Sequence, residues 1–307
     1  VNSDEAPVSD ASRYTAHIDL RNVNDSHTFA IAAVPARSNV LDVGAADGSM
    51  ARTLGQLNCR VWGVEFDPKA AAQARTWCEE VVEGDVELLD LSAAFGRKFD
   101  VILFLDVLEH VKDPLAVLRN AMEVLEERGH IVISLPNVAH AAMRAQMLTG
   151  RFKYTEMGLL DSTHLRFFDP VSVRQFLRDA NLVVLDESRV TFPIDGTEIV
   201  VDVEKLDPLL VEKLQEGPES DSYQFLFVAA PAGSSAAENP PLLPARVLQR
   251  ELRKAREEIE ALQQASGVRG LLDREAMVGQ LQGLLESNRA RRRSLGDLLH
   301  SFHENLH

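Results

Sequence analysis

Residues 40–50, VLDVGAADGSM, decide how this chain folds. An apolar run carries one acid, Asp42, and passes straight into a small-residue turn bounded by Gly44 and Gly48. Glycines there let the backbone take left-handed angles and let another group approach closely. Further apolar runs follow at 60–64, 81–83, 99–105 and 130–135, with two later ones at 182–189 and 222–230. Helical patterns lie between them. Asp113-Pro114 opens one, with Leu115, Leu118, Met122 and Leu125 in helical period and Gly129 as its expected stop. Asp169-Pro170 opens another, carrying Val173, Phe176, Leu177 and Ala180 and stopped by Asn181. Strands alternating with helices imply an α/β domain with a mostly parallel sheet covered on both faces.

Outside that core the composition changes. Residues 1–13 are polar and read as a disordered N-terminus, and 14–230 as the α/β domain. Residues 231–244, PAGSSAAENPPLLP, read as a linker. Beyond it, Leu248, Leu252, Ala255, Ile259 and Leu262 are spaced 4, 3, 4, 3, the seam of a coiled coil. Val278, Leu281 and Leu285, then Leu295, Leu299 and Phe302, form a second seam, interrupted by Asn288 and Arg292. The stretch 245–307 is thus a helical extension, and either a homo-oligomer contact or helices folded back on the domain would use it.

The net charge is −15 over 307 residues. From residue 245 onward there are 11 basic and 9 acidic residues, so the body carries about −17. An acidic body argues against a nucleic-acid partner, which requires a positive surface. No run approaches the roughly 20 apolar residues of a membrane span. No secretory pattern opens the chain, and Cys59 and Cys78 form no disulfide framework or zinc spacing, so a cytoplasmic location is expected.

Ligands of open α/β sheets sit at the carboxyl ends of the strands. A dinucleotide fingerprint would read G-x-G-x-x-G; this turn reads G-A-A-D-G-S, and Asp47 would repel a pyrophosphate and suit an amine. Glu65 ends the second run, where a carboxylate can accept both hydroxyls of a ribose. Asp85, after Gly84, ends the third. Charges placed that close call for a ligand.

These residues, with FDVILFLDVLEHVKDP at 99–114, stand in the order and spacing of the class I S-adenosylmethionine-dependent methyltransferases, which the chain resembles from Val40 to about Val190. Ala46 departs from the family, which has a glycine there. SLPNVAH (134–140) and GRFKYTEMGLLDSTHLRFFDP (150–170) resemble the branch found with bacterial sugar, polysaccharide and secondary-metabolite methylation. THLRFF is also similar to ubiquinone-type O-methyltransferases. The resemblance implies a Rossmann-like, seven-stranded sheet whose last strand, YQFLFVAA, is antiparallel. It implies S-adenosyl-L-methionine as cofactor, held by Asp42, Gly44, Asp47, Gly48, Glu65, Phe66, Gly84, Asp85, Val86, Leu105 and Asp106.

For the chemistry, a hydroxyl acceptor loses a proton as it attacks the methyl group, whereas an amine needs only its lone pair. His164 and His110 are the candidate bases. His27, Asn137 and Asp161 are candidates for substrate contact, and Phe167 and Phe168 are expected to anchor the lid. Asp106, Glu109 and His110 share a face if the chain is helical there. In the ubiquinone-type relatives a similar acid-x-x-Glu-His can hold a divalent metal, so magnesium is a candidate second cofactor; the alternative is that Asp106 touches the cofactor while Glu109 and His110 only orient the loop. The expected activity is methyl transfer to a hydroxyl of a sugar or glycosylated metabolite. N- or C-methylation, or an inactive scaffold acting through its C-terminal helices, stay open alternatives.

Overall fold

A computed structural model describes residues 18–241 except 21, 23 and 218. Contacts divide the chain into two units, and the one described below covers residues 24–241. The C-terminal seams lie outside the described residues.

Seven strands form one sheet: β1 (Asn39–Val43), β2 (Arg60–Glu65), β3 (Glu80–Glu83), β4 (Phe99–Leu105), β5 (Leu125–Pro136), β6 (Leu182–Thr191) and β7 (Ser222–Pro231). Their order is β3-β2-β1-β4-β5-β7-β6. Six run parallel, and β7 lies antiparallel between β5 and β6. That is the expected Rossmann-like arrangement. Strand order reverses between β1 and β4, so the crevice beyond Val43 and Leu105 is where such a sheet takes a ligand.

The central strands are apolar on both faces because helices cover both. Leu41, Ile102, Phe104, Ile131, Ile133 and Phe227 are all buried in the main core. The helices are α1 (Ser26–Ala33), α2 (Ser49–Gly55), α3 (Pro68–Ala74), α4 (Leu91–Phe95), α5 (Pro114–Glu123), α6 (Ala141–Leu148), α7 (Pro170–Asp179), α8 (Pro208–Glu216) and α9 (Ser235–Glu238). Four of them start at Asp-Pro pairs. Asp67, Asp113, Asp169 and Asp207 each accept a backbone N–H of the first turn, and the proline gives up no needed donor. α7 adds a capping box through Ser172. Among these nine, only α2 starts without a side-chain cap, on Gly48 at φ 84°.

Two expectations are corrected. α5 ends at Glu123 rather than running to Gly129, because β5 begins at Leu125. Phe99 pairs with Leu125 and Val101 with His130, so residues 126–129 bulge out of the ladder. Gly129 serves that bulge, where a Cβ would lie 2.8 Å from Leu125 Cδ1 and 2.9 Å from the Glu126 carbonyl oxygen. The expected linker is also partly structured: Pro231 ends β7, and α9, capped by Ser234, buries Ala236.

Candidate active site

At the end of β1 the chain turns through three left-handed residues, Gly44 (φ 82°), Ala46 (46°) and Gly48 (84°). A Cβ on Gly44 would sit 2.6 Å from Val107 Cγ2, and one on Gly48 would sit 2.9 Å from the Ala74 backbone. Both glycines are therefore demanded by packing as well as by angle. Ala46 adopts a conformation that costs an alanine about 1–2 kcal/mol, and a specific bond offsets it. Its N–H donates to Glu65 Oε2 at 2.8 Å, while the Asp67 N–H donates to Glu65 Oε1 at 2.8 Å. Glu65 at the tip of β2 thus fixes the turn after β1. An ionised carboxylate has about four acceptor sites, so two remain for hydroxyls.

Asp42, inside β1, is 2% exposed. Burial pushes its carboxyl up to about 7, with Glu65 adding to the rise and His27 opposing it. His27 lies in α1, its Nδ1 3.7 Å from Asp25 Oδ1. Burial disfavours charge on its ring, but the carboxylates of Asp25, Asp106 and Asp42 outweigh that and hold its pKa above the usual value. Asp47 Oδ1 accepts from the Ser49 N–H, and Asp85 Oδ1 from the Glu87 N–H. Phe66 is 73% exposed beside Glu65, whereas Val86 is buried.

Beyond Leu105 the backbone turns at Asp106, φ 56°. Asp106 Oδ1 accepts from Ser134 Oγ (2.8 Å) at the end of β5 and from Gln224 Nε2 (2.6 Å) on β7, and Ser134 Oγ accepts the Asp106 N–H at 2.9 Å. Residues 106–110 form a turn closed by His110 N–H to the Val107 carbonyl, not a helix. The expected shared face of Asp106, Glu109 and His110 therefore does not form. Instead the Glu109 carbonyl accepts from the N–H groups of Leu165 and Arg166, which brings the DSTH segment alongside.

That contact puts the His110 and His164 rings edge to face, centroids 4.7 Å apart. Asp161 Oδ1 accepts from the N–H (2.8 Å) and Oγ1 (2.6 Å) of Thr163, whose Oγ1 lies 3.0 Å from His110 Nδ1. A hydroxyl that gives its proton to a carboxylate accepts from the ring, so His110 carries its proton on Nδ1. His164 is 9% exposed. Burial, with His110 beside it, lowers its pKa to about 4 against the pull of Asp161. Glu109 is buried too, and burial next to Asp106 and Asp161 holds its carboxyl well above the usual range.

Asp161 and Asn137 face inward. Asn137 Nδ2 donates to the Ser222 carbonyl (2.7 Å) and its Oδ1 accepts from the Ala139 N–H (3.0 Å), tying β5 to β7. Phe168 is a buried anchor as expected. Phe167 is not: it is partly exposed and meets Phe152 and His164 edge to face, with Tyr154 beyond Phe152. Sequence reading missed Ser134, Thr163 and Gln224; the polar residues inside HIVISLP, DSTH and SYQFLFVAA were the available signal.

A family model described as a methyltransferase domain matches residues 14–187, more than half of the chain. The chain belongs to this methyltransferase family. It is 29% identical over 164 residues to a ubiquinone biosynthesis O-methyltransferase of Xanthomonas axonopodis pv. citri (strain 306), covering 52% of this chain and 68% of that protein. It is 28% identical over 179 residues to the protein of the same description from Xanthomonas campestris pv. campestris (strain B100), covering 56% and 74%. Among solved structures, magnesium protoporphyrin IX methyltransferase from Synechocystis PCC 6803 superposes with a TM-score of 0.47 at 14% identity, over 72% of this chain and 94% of that one.

In this methyltransferase the strand ends fit S-adenosylmethionine. Glu65 keeps acceptor sites for a ribose, and exposed Phe66 offers an apolar face beside it. A cationic ligand beside Asp42 would offset the burial that pushes its carboxyl up to about 7. When bound, the cofactor supplies an electrophilic methyl group; the chain's residues orient it. The magnesium set expected from Asp106, Glu109 and His110 does not fit. The donor atoms that come together, all within 4.8 Å of one another, belong to Glu109, His110 and His164. Asp106 Oδ1 is bound instead to Ser134 and Gln224.

Proposed function

We propose that this methyltransferase moves the methyl group of S-adenosylmethionine to a hydroxyl of a ring-bearing small molecule, with a sugar or glycosylated metabolite as the acceptor class. The observation that carries the reading is the His110–His164 pair beside the loop of Asp106. An in-line transfer requires acceptor, methyl and sulfur to be aligned, and a hydroxyl also requires its proton to be removed. The Glu109–His110–His164 group is where that proton leaves. The likeness to relatives described as O-methyltransferases supports oxygen as the acceptor atom. Phe152, Tyr154 and Phe167 form an aromatic ladder next to His164 on which a ring can lie. The catalytic domain runs from about residue 14 to Pro241, and the 245–307 extension joins copies of the chain.

The test is a panel of glycosides, phenols and matched amines, incubated with methyl-labelled S-adenosylmethionine. Label is expected on hydroxyl acceptors and not on the amines. Label on amines only would replace the O-methyl reading with N-methylation. Failure of the chain to bind S-adenosylhomocysteine would end the enzyme reading.

A further inference from the structure

The segment after β5 and the segment after β6 share a small core of their own. Leu159 and Leu160 pack there with Ile194 and Ile199, with Ala142 of α6 and with Leu214 of α8. One carboxylate also ties the two segments together. Glu198 Oε1 accepts the Leu159 N–H at 2.6 Å, and its Oε2 accepts the Tyr223 hydroxyl at 2.8 Å. Burial, with Glu198 facing the phenol, pushes the Tyr223 hydroxyl up, so it keeps its proton and is the donor. Tyr223 lies near the start of β7, where its carbonyl accepts the Asn137 N–H at 2.9 Å. Gly158 (φ 94°) makes room for the carboxylate, because a Cβ there would run into Glu198. The Leu159 peptide carries this contact onward. Its backbone hydrogen-bonds the His164 ring. That bond favours the charged ring, so the Leu159 carbonyl accepts from a ring N–H. His164 Nδ1 is buried and has no partner, so the N–H belongs to Nε2 and the lone pair to Nδ1. The backbone repeats the link, with the His164 N–H on the Asp161 carbonyl (3.0 Å) and the Asp161 N–H on the Gly158 carbonyl (3.1 Å).

We propose that Glu198 is a positioning residue for methyl transfer: by holding the Leu159 peptide against Tyr223 it fixes the seat and the tautomer of His164, whose Nδ1 takes the acceptor proton. This rests on the reading of the acceptor as a hydroxyl whose proton leaves beside His110. In the step, the acceptor O–H bond breaks and its proton goes to His164 Nδ1. The oxygen bonds the methyl carbon, and the pair of the broken carbon–sulfur bond stays with S-adenosylhomocysteine. The imidazolium so formed keeps its Nε2 proton on the Leu159 carbonyl. A base must lie within hydrogen-bond reach of the proton it takes, so a ring free to turn over would present an N–H where the lone pair is needed. Glu198 prevents that through a peptide rather than by direct contact, and from a segment that follows β6.

The experiment compares the full chain with Glu198→Ala and Glu198→Gln, each shown to be folded by an unchanged affinity for S-adenosylhomocysteine. Nitrogen-15 NMR of histidine-labelled protein at neutral pH, with the His164 signals identified by their loss in His164→Asn, reads the tautomer. A ring protonated on Nε2 is expected in the parent and in Glu198→Gln, which keeps a carbonyl oxygen for the Leu159 N–H. A mixture of tautomers is expected in Glu198→Ala. With a hydroxyl acceptor from the panel above, Glu198→Ala should lower kcat by about 10–100-fold at nearly constant KM, the cost of a misplaced group. Glu198→Gln should restore most of that loss. In a His164→Ala background Glu198→Ala should cost nothing further, because the two residues act as one unit. A parent-like tautomer or a parent-like kcat in Glu198→Ala overturns the proposal, and so do losses that multiply in the double variant. Full turnover of His164→Ala, or a panel that yields no hydroxyl acceptor, instead overturns the reading of His164 as the base, and the role of Glu198 falls with it.

Discussion

Replacing Asp42 with asparagine isolates the electrostatic cost of an acid buried inside β1. In the folded chain burial moves this carboxyl from 3.8 to about 7. At about 1.36 kcal/mol per unit, the shift corresponds to about 4 kcal/mol between the two protonation states. The folded carboxyl keeps its proton up to about pH 7, while the unfolded one releases it near 3.8. Between those values the folded state holds the extra proton, so stability falls as pH rises through the window. Asparagine has the same shape and no proton to lose. Some of the gain is offset at His27, whose ring charge Asp42 supports. The expected result is that Asp42→Asn gains about 2–4 kcal/mol on the parent between pH 5 and pH 8 without cofactor. Urea unfolding followed by circular dichroism at several pH values measures it. With saturating S-adenosylhomocysteine the order should reverse, because the parent carboxylate then has a cation to pair with. A difference between the two proteins that is the same at pH 5 and pH 8 would refute the buried-acid argument.

Glu65→Ala removes a carboxylate that accepts two backbone N–H groups and that the family resemblance assigns to the cofactor ribose. Losing one charged acceptor costs about 1.5–3 kcal/mol, so S-adenosylhomocysteine should bind at least about tenfold more weakly by calorimetry; unchanged affinity removes Glu65 from the cofactor site. A chain ending at Pro241, which keeps α9 on the sheet, should be monomeric in light scattering and still bind cofactor, while the full chain is a dimer or larger. A monomeric full chain would rule out the coiled-coil reading of the 4-3 seam.

The sheet was legible because its signals are local. A parallel strand is a short apolar run, and all seven runs appear as strands within a few residues of where the pattern puts them. The glycine turn and the strand-end acids follow from the same spacing. Helix stops were harder: Gly129 looks like a terminator, but a strand bulge requires the same residue. The acceptor end was read only in part. The i, i+3, i+4 spacing of Asp106, Glu109 and His110 has meaning on a helix, and the chain makes a turn there. That turn is set by Ser134 and Gln224, 28 and 118 residues from Asp106. Swapping Asp106 for His164 in the donor group thus depends on contacts that no local window contains. Phe167 and Phe168 illustrate the limit at its smallest: adjacent aromatics, one buried and one facing the ladder.

The bulge in β5 also fixes where the molecule tolerates being handled. Glu126, Glu127 and Arg128 loop out at the amino-terminal ends of β4 and β5, the opposite end of the sheet from Asp42, Glu65 and Asp106. Their side chains are exposed, and Glu127 accepts one backbone N–H, that of Ser235 at the start of α9. Because insertion tolerance follows burial and backbone bonding, a peptide tag or a fluorophore-bearing loop belongs there. A protein fixed to a surface through this loop would present its cofactor crevice outward, which makes it an anchoring point for a sensor that reports ligand binding.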